Sequence, residues 1–133
     1  MTKVLIPVDG SERSVRSLEK VRKEFTPEEA QITLISVIDT PMHYKYEQQY
    51  QHDLHKFQEQ LEHYQEMLSE YQVSTSVVTG KAGPAIVRFA EQNEFQCLVM
   101  TRSQYGTMEG GSVSAYIAKK APFLELMILQ EEG

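Results

Sequence analysis

Short apolar runs alternate along the chain with longer segments in which apolar residues recur every three or four positions. Short runs rich in Val, Ile and Leu are typical of buried strands in a parallel sheet. The pattern therefore predicts five strands, at Val4–Val8, Ile32–Ile38, Val73–Val78, Cys97–Met100 and Leu124–Leu129. Serine and threonine alternate in the third run, which predicts a more exposed strand at an edge of the sheet.

Helical spacing fills the intervening segments. It predicts helices from Ser11 to Phe25, Lys45 to Gln72, Pro84 to Gln92 and Ser112 to Lys120. Ser11 is a candidate N-cap and Pro84 suits the first turn of its helix. Strand–helix–strand units join parallel strands by right-handed crossovers, so the order predicts an α/β fold: a doubly wound five-stranded parallel sheet with helices on both faces. No linker or repeat divides residues 1–133, which we expect to form a single domain.

The longest predicted helix has an apolar seam with alternating steps of four and three residues. The seam consists of Tyr50, Leu54, Phe57, Leu61, Tyr64, Leu68 and Tyr71. A helix from Lys45 to Gln72 would be roughly 40 Å long, about twice a typical strand, so its N-terminal end is expected to overhang the sheet. Two interpretations stay open: the seam covers the sheet, or the end with Tyr44, Tyr46 and Tyr50 meets a protein partner.

Composition excludes several classes of protein. The 133 residues carry a formal net charge of -6, which argues against a constitutive nucleic-acid or anionic-membrane binder. No apolar stretch reaches the ~18 residues that span a bilayer, and the first residues form a strand rather than a signal core. We therefore expect a cytoplasmic protein that binds neither nucleic acid nor membranes.

Cysteine and histidine suggest no reactive centre. Cys97 is the only cysteine and lies in an apolar strand, so we predict a buried structural thiol. His55 and Glu59 have the i, i+4 spacing of metal ligands, but the helix around them is rich in Gln and Glu. We interpret these side chains as solvated and predict no metal site.

In doubly wound sheets, ligands bind at the carboxyl ends of the strands. The residues at these ends are Asp9, Val37, Asp39, Gly80 and the polar loop from Thr101 to Ser112. The chain has no G-x-G-x-x-G after its first strand, no G-x-x-x-x-G-K-[ST], and no serine in a nucleophile-elbow pattern. Dinucleotide, P-loop and serine-hydrolase chemistry are therefore disfavoured, and no enzyme activity is predicted.

The sequence Gly110-Gly111-Ser112-Val113 opens the last predicted helix. Two glycines permit close backbone approach, and free N–H groups at a helix N-terminus attract an anion. This segment is therefore a candidate phosphate site. The alternative is that Ser112 only caps the helix while the glycines form the turn.

Together these segments resemble the universal stress protein family. The resemblance is carried by Val4–Ser11, Ser36–Asp39, Thr79–Pro84, Leu98–Met100, Gly111–Val113 and Ala121–Pro122. It implies the universal stress protein fold. In nucleotide-binding members the aspartate matching Asp9 recognises the adenine edge, while Pro7, Val8 and Val37 line the base pocket. The residues Met100, Gly111, Ser112 and Val113 match further positions of that site.

The family's phosphate pattern, G-x2-G-x9-G-[ST], survives here only as Gly111 and Ser112. Thr101 and Gln104 stand at the two leading glycines, and six residues instead of nine separate Gln104 from Gly111. Arg102, in the same loop, is a candidate for replacing a lost phosphate contact. We therefore expect ATP with magnesium to bind weakly or not at all.

These observations favour a non-enzymatic, dimeric stress-response or regulatory binding module. The last strand, Leu124–Leu129, is expected at a sheet edge, where it can pair with a second copy. One alternative is an ATP-binding sensor with at most slow hydrolysis. A further alternative is a scaffold that acts through the long tyrosine-rich helix.

Overall fold

The structure, a computed structural model, describes residues 1–38, 47–102, 107–108 and 111–130. Strands and helices alternate along the described chain. The strands are β1 (Thr2–Pro7), β2 (Ala30–Ile38), β3 (Gln72–Thr79), β4 (Cys97–Thr101), β5 (Thr107–Met108), β6 (Gly111–Ser112) and β7 (Glu125–Leu129). The helices are α1 (Glu12–Glu24), α2 (Glu47–Met67), α3 (Ala82–Gln92) and α4 (Val113–Lys120).

The main sheet has five parallel strands in the order β3-β2-β1-β4-β7. Val4 is aligned with Ile32 on one side and with Cys97 on the other, so β1 lies at the centre. The chain moves outward from β1 to one edge and then returns to build the other edge. This arrangement confirms the predicted doubly wound α/β fold.

Two apolar clusters fill the space between the sheet and the helices, one on each face. Successive strand residues point to opposite faces, so Val4, Ile6 and Val8 join one cluster while Leu5 joins the other. The first cluster includes Leu18 of α1 and Leu61 of α2. The second contains core residues of α3 and α4. Helices therefore cover both faces of the sheet, as predicted.

The predicted C-terminal end of α2 was wrong. The helix ends at Met67 instead of Gln72, and Gln72 is already the first residue of β3. Beyond Met67, Leu68 and Tyr71 donate backbone hydrogen bonds to residues three positions back, which forms tight turns. Both side chains still point into the core, so their apolar period continues after the helix has stopped. With 21 residues, α2 is roughly 30 Å long.

The N-terminal part of α2 lies against the protein itself. Tyr50 is half-buried and lines a cavity with Val78 of β3 and Phe89 of α3. Tyr44 and Tyr46, which complete the predicted tyrosine-rich end, lie outside the described residues. Leu61, Tyr64 and Leu68 are buried against the sheet, which supports sheet coverage for the C-terminal half of the seam.

The polar segment before α4 contains a small hairpin that the sequence pattern did not predict. β5 and β6 pair antiparallel, with Thr107 opposite Ser112 and Met108 opposite Gly111. Strands of two residues are too short to produce a recognisable alternation of apolar and polar residues. The segment predicted as a polar loop from Thr101 to Gly110 thus includes the two residues of β5.

β3 and β7 form the two edges of the main sheet. The edge position of β3 was predicted from its alternating Ser and Thr, and that of β7 from its place at the end of the chain. Both predictions are confirmed. Among the described helices, none is both long enough and apolar enough to cross a membrane.

Candidate functional site

A cleft of about 460 Å³ opens at the carboxyl ends of β1 and β2, beneath α2. The strand ends contribute Asp9, Val37 and Ile38. The helix contributes Asp53, Lys56, Phe57 and Gln60, which share one helical face because their spacing matches two turns. This is the position at which ligands bind in doubly wound sheets.

Asp9 ties the end of β1 to the start of α1. Its Oδ1 accepts hydrogen bonds from the Ser11 backbone N–H at 3.1 Å, the Ser11 hydroxyl at 2.5 Å and the Ser14 hydroxyl at 2.9 Å. The Asp9 backbone N–H in turn donates to Ser14 Oγ at 2.9 Å. Ser11 occupies the predicted N-cap position, but its side chain makes no cap hydrogen bond. The Ser11 hydroxyl bonds Asp9 instead.

Tyr64 of α2 connects this carboxylate network to the core. Its side chain is buried, and burial raises the pKa of its phenol, with a further rise from the nearby Asp9 carboxylate. Hydrogen bonds with the Ser14 side chain and the Gly10 backbone act in the opposite direction on the Tyr64 pKa. The phenol of Tyr64 therefore gives α2 a polar contact with the Asp9 network, in addition to its apolar contacts with the core.

Gly10 and Gln60 meet at the edge of the cleft. Gly10 has a φ of +83°, a left-handed conformation that favours glycine. A Cβ atom added there would overlap the Gln60 side-chain amide. The Gln60 Oε1 oxygen is buried and accepts no hydrogen bond within the described part of the chain. Glycine at this position thus permits the left-handed turn after β1 and leaves room for the Gln60 amide.

The structure brings together only part of the nucleotide-site set expected from the sequence. Asp9 and Val37 line the cleft. Pro7, Val8 and Met100 are buried within the sheet and its apolar clusters, so they support the cleft from below rather than line it. Sequence reasoning missed the α2 residues, although the one-face spacing of Asp53, Phe57 and Gln60 was a usable signal.

The remaining expected residues lie at the start of α4. Gly111 and Ser112 form β6, and Val113 is the first residue of the helix, buried against the second cluster. Ser112 Oγ accepts a hydrogen bond from the Ala115 backbone N–H at 3.1 Å, so this serine caps α4. Ser112 thus occupies the N-cap position of α4. Gln104 lies outside the described residues.

Thr101 and Arg102, at the end of β4, also engage the protein. Thr101 is fully buried; its hydroxyl donates to the Arg13 carbonyl of α1 at 2.9 Å and lies 3.2 Å from Ser17 Oγ. The Arg102 backbone N–H donates to the Leu129 carbonyl, and its Nη1 donates to Gln130 Oε1 at 3.3 Å. The Arg102 guanidinium thus lies beside the C-terminal end of β7.

The sequence's other chemical candidates lie away from this cleft. Cys97 is fully buried in β4, and burial raises the pKa of its thiol to about 11. This confirms the predicted buried thiol. His55 Nε2 lies 2.8 Å from a Glu59 carboxylate oxygen, with both side chains mostly exposed. Across residues 1–38, 47–102, 107–108 and 111–130, no group of three or more His, Cys, Asp or Glu is placed to hold a metal ion.

Comparison with known proteins gives a consistent result. The model of the universal stress protein family matches residues 1–127. The fold is similar to UspA from Lactobacillus plantarum (TM-score 0.77, 18% identity, 96% of this chain and 97% of that chain). It is also similar to a universal stress protein in complex with cAMP (0.73, 18%, 98% and 98%) and to one from Arabidopsis thaliana with AMP bound (0.72, 18%, 100% and 93%). A search of curated protein sequences found no match.

Proposed function

Because the chain belongs to the universal stress protein family, we propose that it is a non-enzymatic stress-response binding module that binds ATP weakly or not at all. One observation carries this proposal. In the described part of the chain, the hydroxyl groups of Ser11, Ser14, Thr101 and Ser112 around the strand ends already bond the chain's own side chains and backbone. A triphosphate would have to break these bonds before it gained any of its own.

Three internal contacts make up this obstacle. The Asp9 carboxylate accepts hydrogen bonds from the hydroxyls of Ser11 and Ser14 at the start of α1. The Thr101 hydroxyl donates to the backbone of α1. The Ser112 hydroxyl accepts the Ala115 N–H, one of the donors that a phosphate at the α4 N-terminus would need. Each lost hydrogen bond to a charged group costs roughly 1.5–3 kcal/mol, so two would weaken binding by about a hundredfold or more.

The charges of the cleft also oppose the binding of a triphosphate. Among the described lining residues, Asp9 and Asp53 carry carboxylates and Lys56 carries an ammonium group. The whole chain adds a formal net charge of -6. A triphosphate entering this field is repelled more strongly than a neutral nucleoside or a monophosphate.

A second candidate is an adenine-nucleotide sensor. The cleft retains Asp9 and Val37, the two lining residues that the family resemblance links to base recognition. Structural neighbours of the same fold carry cAMP and AMP. This favours a ligand with one phosphate or none, because such a ligand needs fewer of the occupied donors.

Titration calorimetry with ATP and magnesium tests the proposal directly. We expect no saturable binding below about 100 µM, and no phosphate release above the buffer rate. Val37→Trp, which places a larger side chain in the cleft, is the control for heat that comes from binding at this site. An ATP dissociation constant below about 10 µM that Val37→Trp abolishes would contradict the proposal and establish the sensor.

We also propose that the module is a homodimer formed through β7. No strand among the described residues pairs with its outer edge, and Leu126 and Ile128 are only half-buried. Phe123, just before the strand, is 45% exposed. Exposed apolar surface beside an open edge favours pairing with a second copy. The exposed Glu125 lies at the start of the strand, where its charge can remain in water.

A further inference from the structure

The second edge of the sheet, β3, has no feature that prevents strand pairing. It is eight residues long and contains neither a charged residue nor a proline. Natural proteins usually block an exposed edge with lysine, proline, a bulge or a very short strand. β7, the edge proposed for the dimer, is five residues long and begins with a glutamate. β3 is thus the longer and less protected edge.

The direction of its backbone groups can be read from two hydrogen bonds. The Gly80 N–H donates to the Ile38 carbonyl of β2, and backbone groups alternate in direction along a strand. The N–H and C=O groups of Val73, Thr75, Val77 and Thr79 therefore face away from β2. Gln65 Nε2 donates to the Val73 carbonyl at 3.0 Å, which agrees with an outward-facing carbonyl at Val73. From Thr75 to Thr79, no described strand pairs with the outer edge.

Grooves flank this edge on both faces of the sheet. On the α2 side, a cavity of about 260 Å³ lies between Gln58, Leu61 and Glu62 and the residues Thr75, Ser76 and Val77. On the α3 side, a cavity of about 410 Å³ is lined by Tyr50, Arg88 and Phe89, among others. A strand added to β3 would direct alternate side chains into these two grooves.

The charge on the α2 side of the edge points to a basic occupant. Glu62 lines the cavity of about 260 Å³ and also a second cavity of about 440 Å³ near Leu68 and Val73. Glu66 lines this second cavity. Both are exposed, and neither forms an ion pair with another described residue. In a symmetric pairing of two β3 edges, these glutamates would face the same helix of the other copy. Like charges at such a contact disfavour a second copy and favour a partner with Lys or Arg.

We propose that the outer edge of β3 binds an extended basic segment of a partner protein, which adds as a sixth strand. Backbone hydrogen bonds from Thr75, Val77 and Thr79 hold the segment. Lysine or arginine side chains on its α2-facing side pair with Glu62 and Glu66. This site is distinct from the cleft and from β7, so it goes beyond the proposed nucleotide and dimer functions.

The probe is a fluorescein-labelled peptide of eight alternating lysine and valine residues, titrated against the full chain by fluorescence anisotropy. We expect saturable binding, and none of a peptide with glutamate in place of lysine. Thr75→Pro removes an outward N–H without breaking the bonds to β2, and edge strands tolerate such a proline. It should weaken binding by about tenfold. Glu62→Lys should have a similar effect, whereas Glu19→Lys on α1, with the same change in net charge, should not.

Amide hydrogen exchange on the unmodified chain gives an independent measurement. The peptide should slow exchange at Thr75, Val77 and Thr79 more than at the β7 edge. Binding that is equal in Thr75→Pro, or equally weakened by Glu19→Lys, would overturn the proposal in favour of diffuse electrostatic attraction. Loss of an existing dimer in Thr75→Pro would overturn it in favour of a second copy at this edge.

Discussion

At the scale of single residues, Gly10 has two separate reasons to be glycine. Its left-handed φ of +83° disfavours any side chain, and a Cβ would also overlap the amide of Gln60. We predict that Gly10→Ala lowers the free energy of unfolding by about 1–3 kcal/mol, measured by urea denaturation.

The two reasons can be separated by a double-mutant cycle. In a Gln60→Ala background, the overlap is gone while the backbone strain remains. Gly10→Ala should then cost at least about 0.5 kcal/mol less than in the unmodified chain. Equal costs in both backgrounds would show that the overlap with the Gln60 side chain does not contribute to the cost of Gly10→Ala.

Cys97 makes alkaline stability a second test at the residue scale. Burial is the main cause that raises the pKa of its thiol from an ordinary 9.0 to about 11, with Glu125 and Glu24 adding to the rise. The native state therefore keeps its proton at a pH where the unfolded chain releases it. The stabilisation is complete below pH 9 and is lost progressively between about pH 9 and 11.

We expect the free energy of unfolding to fall over this interval, and to fall less steeply in Cys97→Ala. Tyr64 and Tyr71 also have raised pKa values because of burial, but they contribute equally to both proteins. Urea unfolding at pH 8, 9 and 10 measures the difference. Identical slopes would mean that the thiol ionises in the native state as readily as in the unfolded chain.

At the scale of elements, periodicity predicted the existence and order of all five strands of the main sheet. It failed at the end of α2, because Leu68 and Tyr71 keep the helical period while packing into the core from tight turns. The same pattern hid part of the site. Phe57 belongs to the apolar seam by spacing, so only the helical face that it shares with Asp53 and Gln60 indicated a place in the cleft with Asp9.

The seam of α2 should contribute to stability mainly through its C-terminal half. Leu61 is buried against the first cluster, whereas Leu54 is only half-buried. We predict that Leu61→Ala lowers the free energy of unfolding by about 2–5 kcal/mol. Leu54→Ala, the matched control on the same helix, should cost clearly less in the same urea experiment. A reversed order would show that the seam's N-terminal half carries the packing.

The proposed dimer makes a prediction about the β7 edge. The Glu125 N–H donates to the Gln96 carbonyl beside β4, so the backbone groups of Leu126 and Ile128 face outward by alternation. Ile128→Pro should remove an intermolecular hydrogen bond while keeping the β4 pairing. Light scattering at tens of micromolar should show a dimer for the unmodified chain and a monomer for Ile128→Pro.

Thr75→Pro is the matched control, because it places the same residue at the opposite edge. The dimer should persist in that variant. A monomeric unmodified chain at this concentration would exclude the β7 dimer. Persistence of the dimer in a folded Ile128→Pro would move the interface elsewhere on the protein.

At the scale of the whole molecule, charge should decide which nucleotides the cleft accepts. The net charge of -6 and the carboxylates of Asp9 and Asp53 oppose an anionic ligand, and Lys56 is the one cation among the described residues of the lining. Each added phosphate increases this repulsion, so affinity should fall in the order adenosine, AMP, ATP. Salt screens charges over about 8–10 Å at 0.1–0.15 M. Added salt should therefore strengthen AMP binding, the reverse of its usual effect on phosphate sites.

Calorimetry of AMP and adenosine at 20 mM and 300 mM salt tests the direction of this salt effect. Asp53→Asn and Lys56→Gln are a matched pair of variants, because they remove opposite charges from the same face of α2. Removing the carboxylate should raise AMP affinity by about two- to fivefold. Removing the ammonium group should lower it by a similar factor, and adenosine should respond to neither change. Weaker AMP binding at high salt would show that cations hold the phosphate, and would favour the nucleotide sensor over the proposed module.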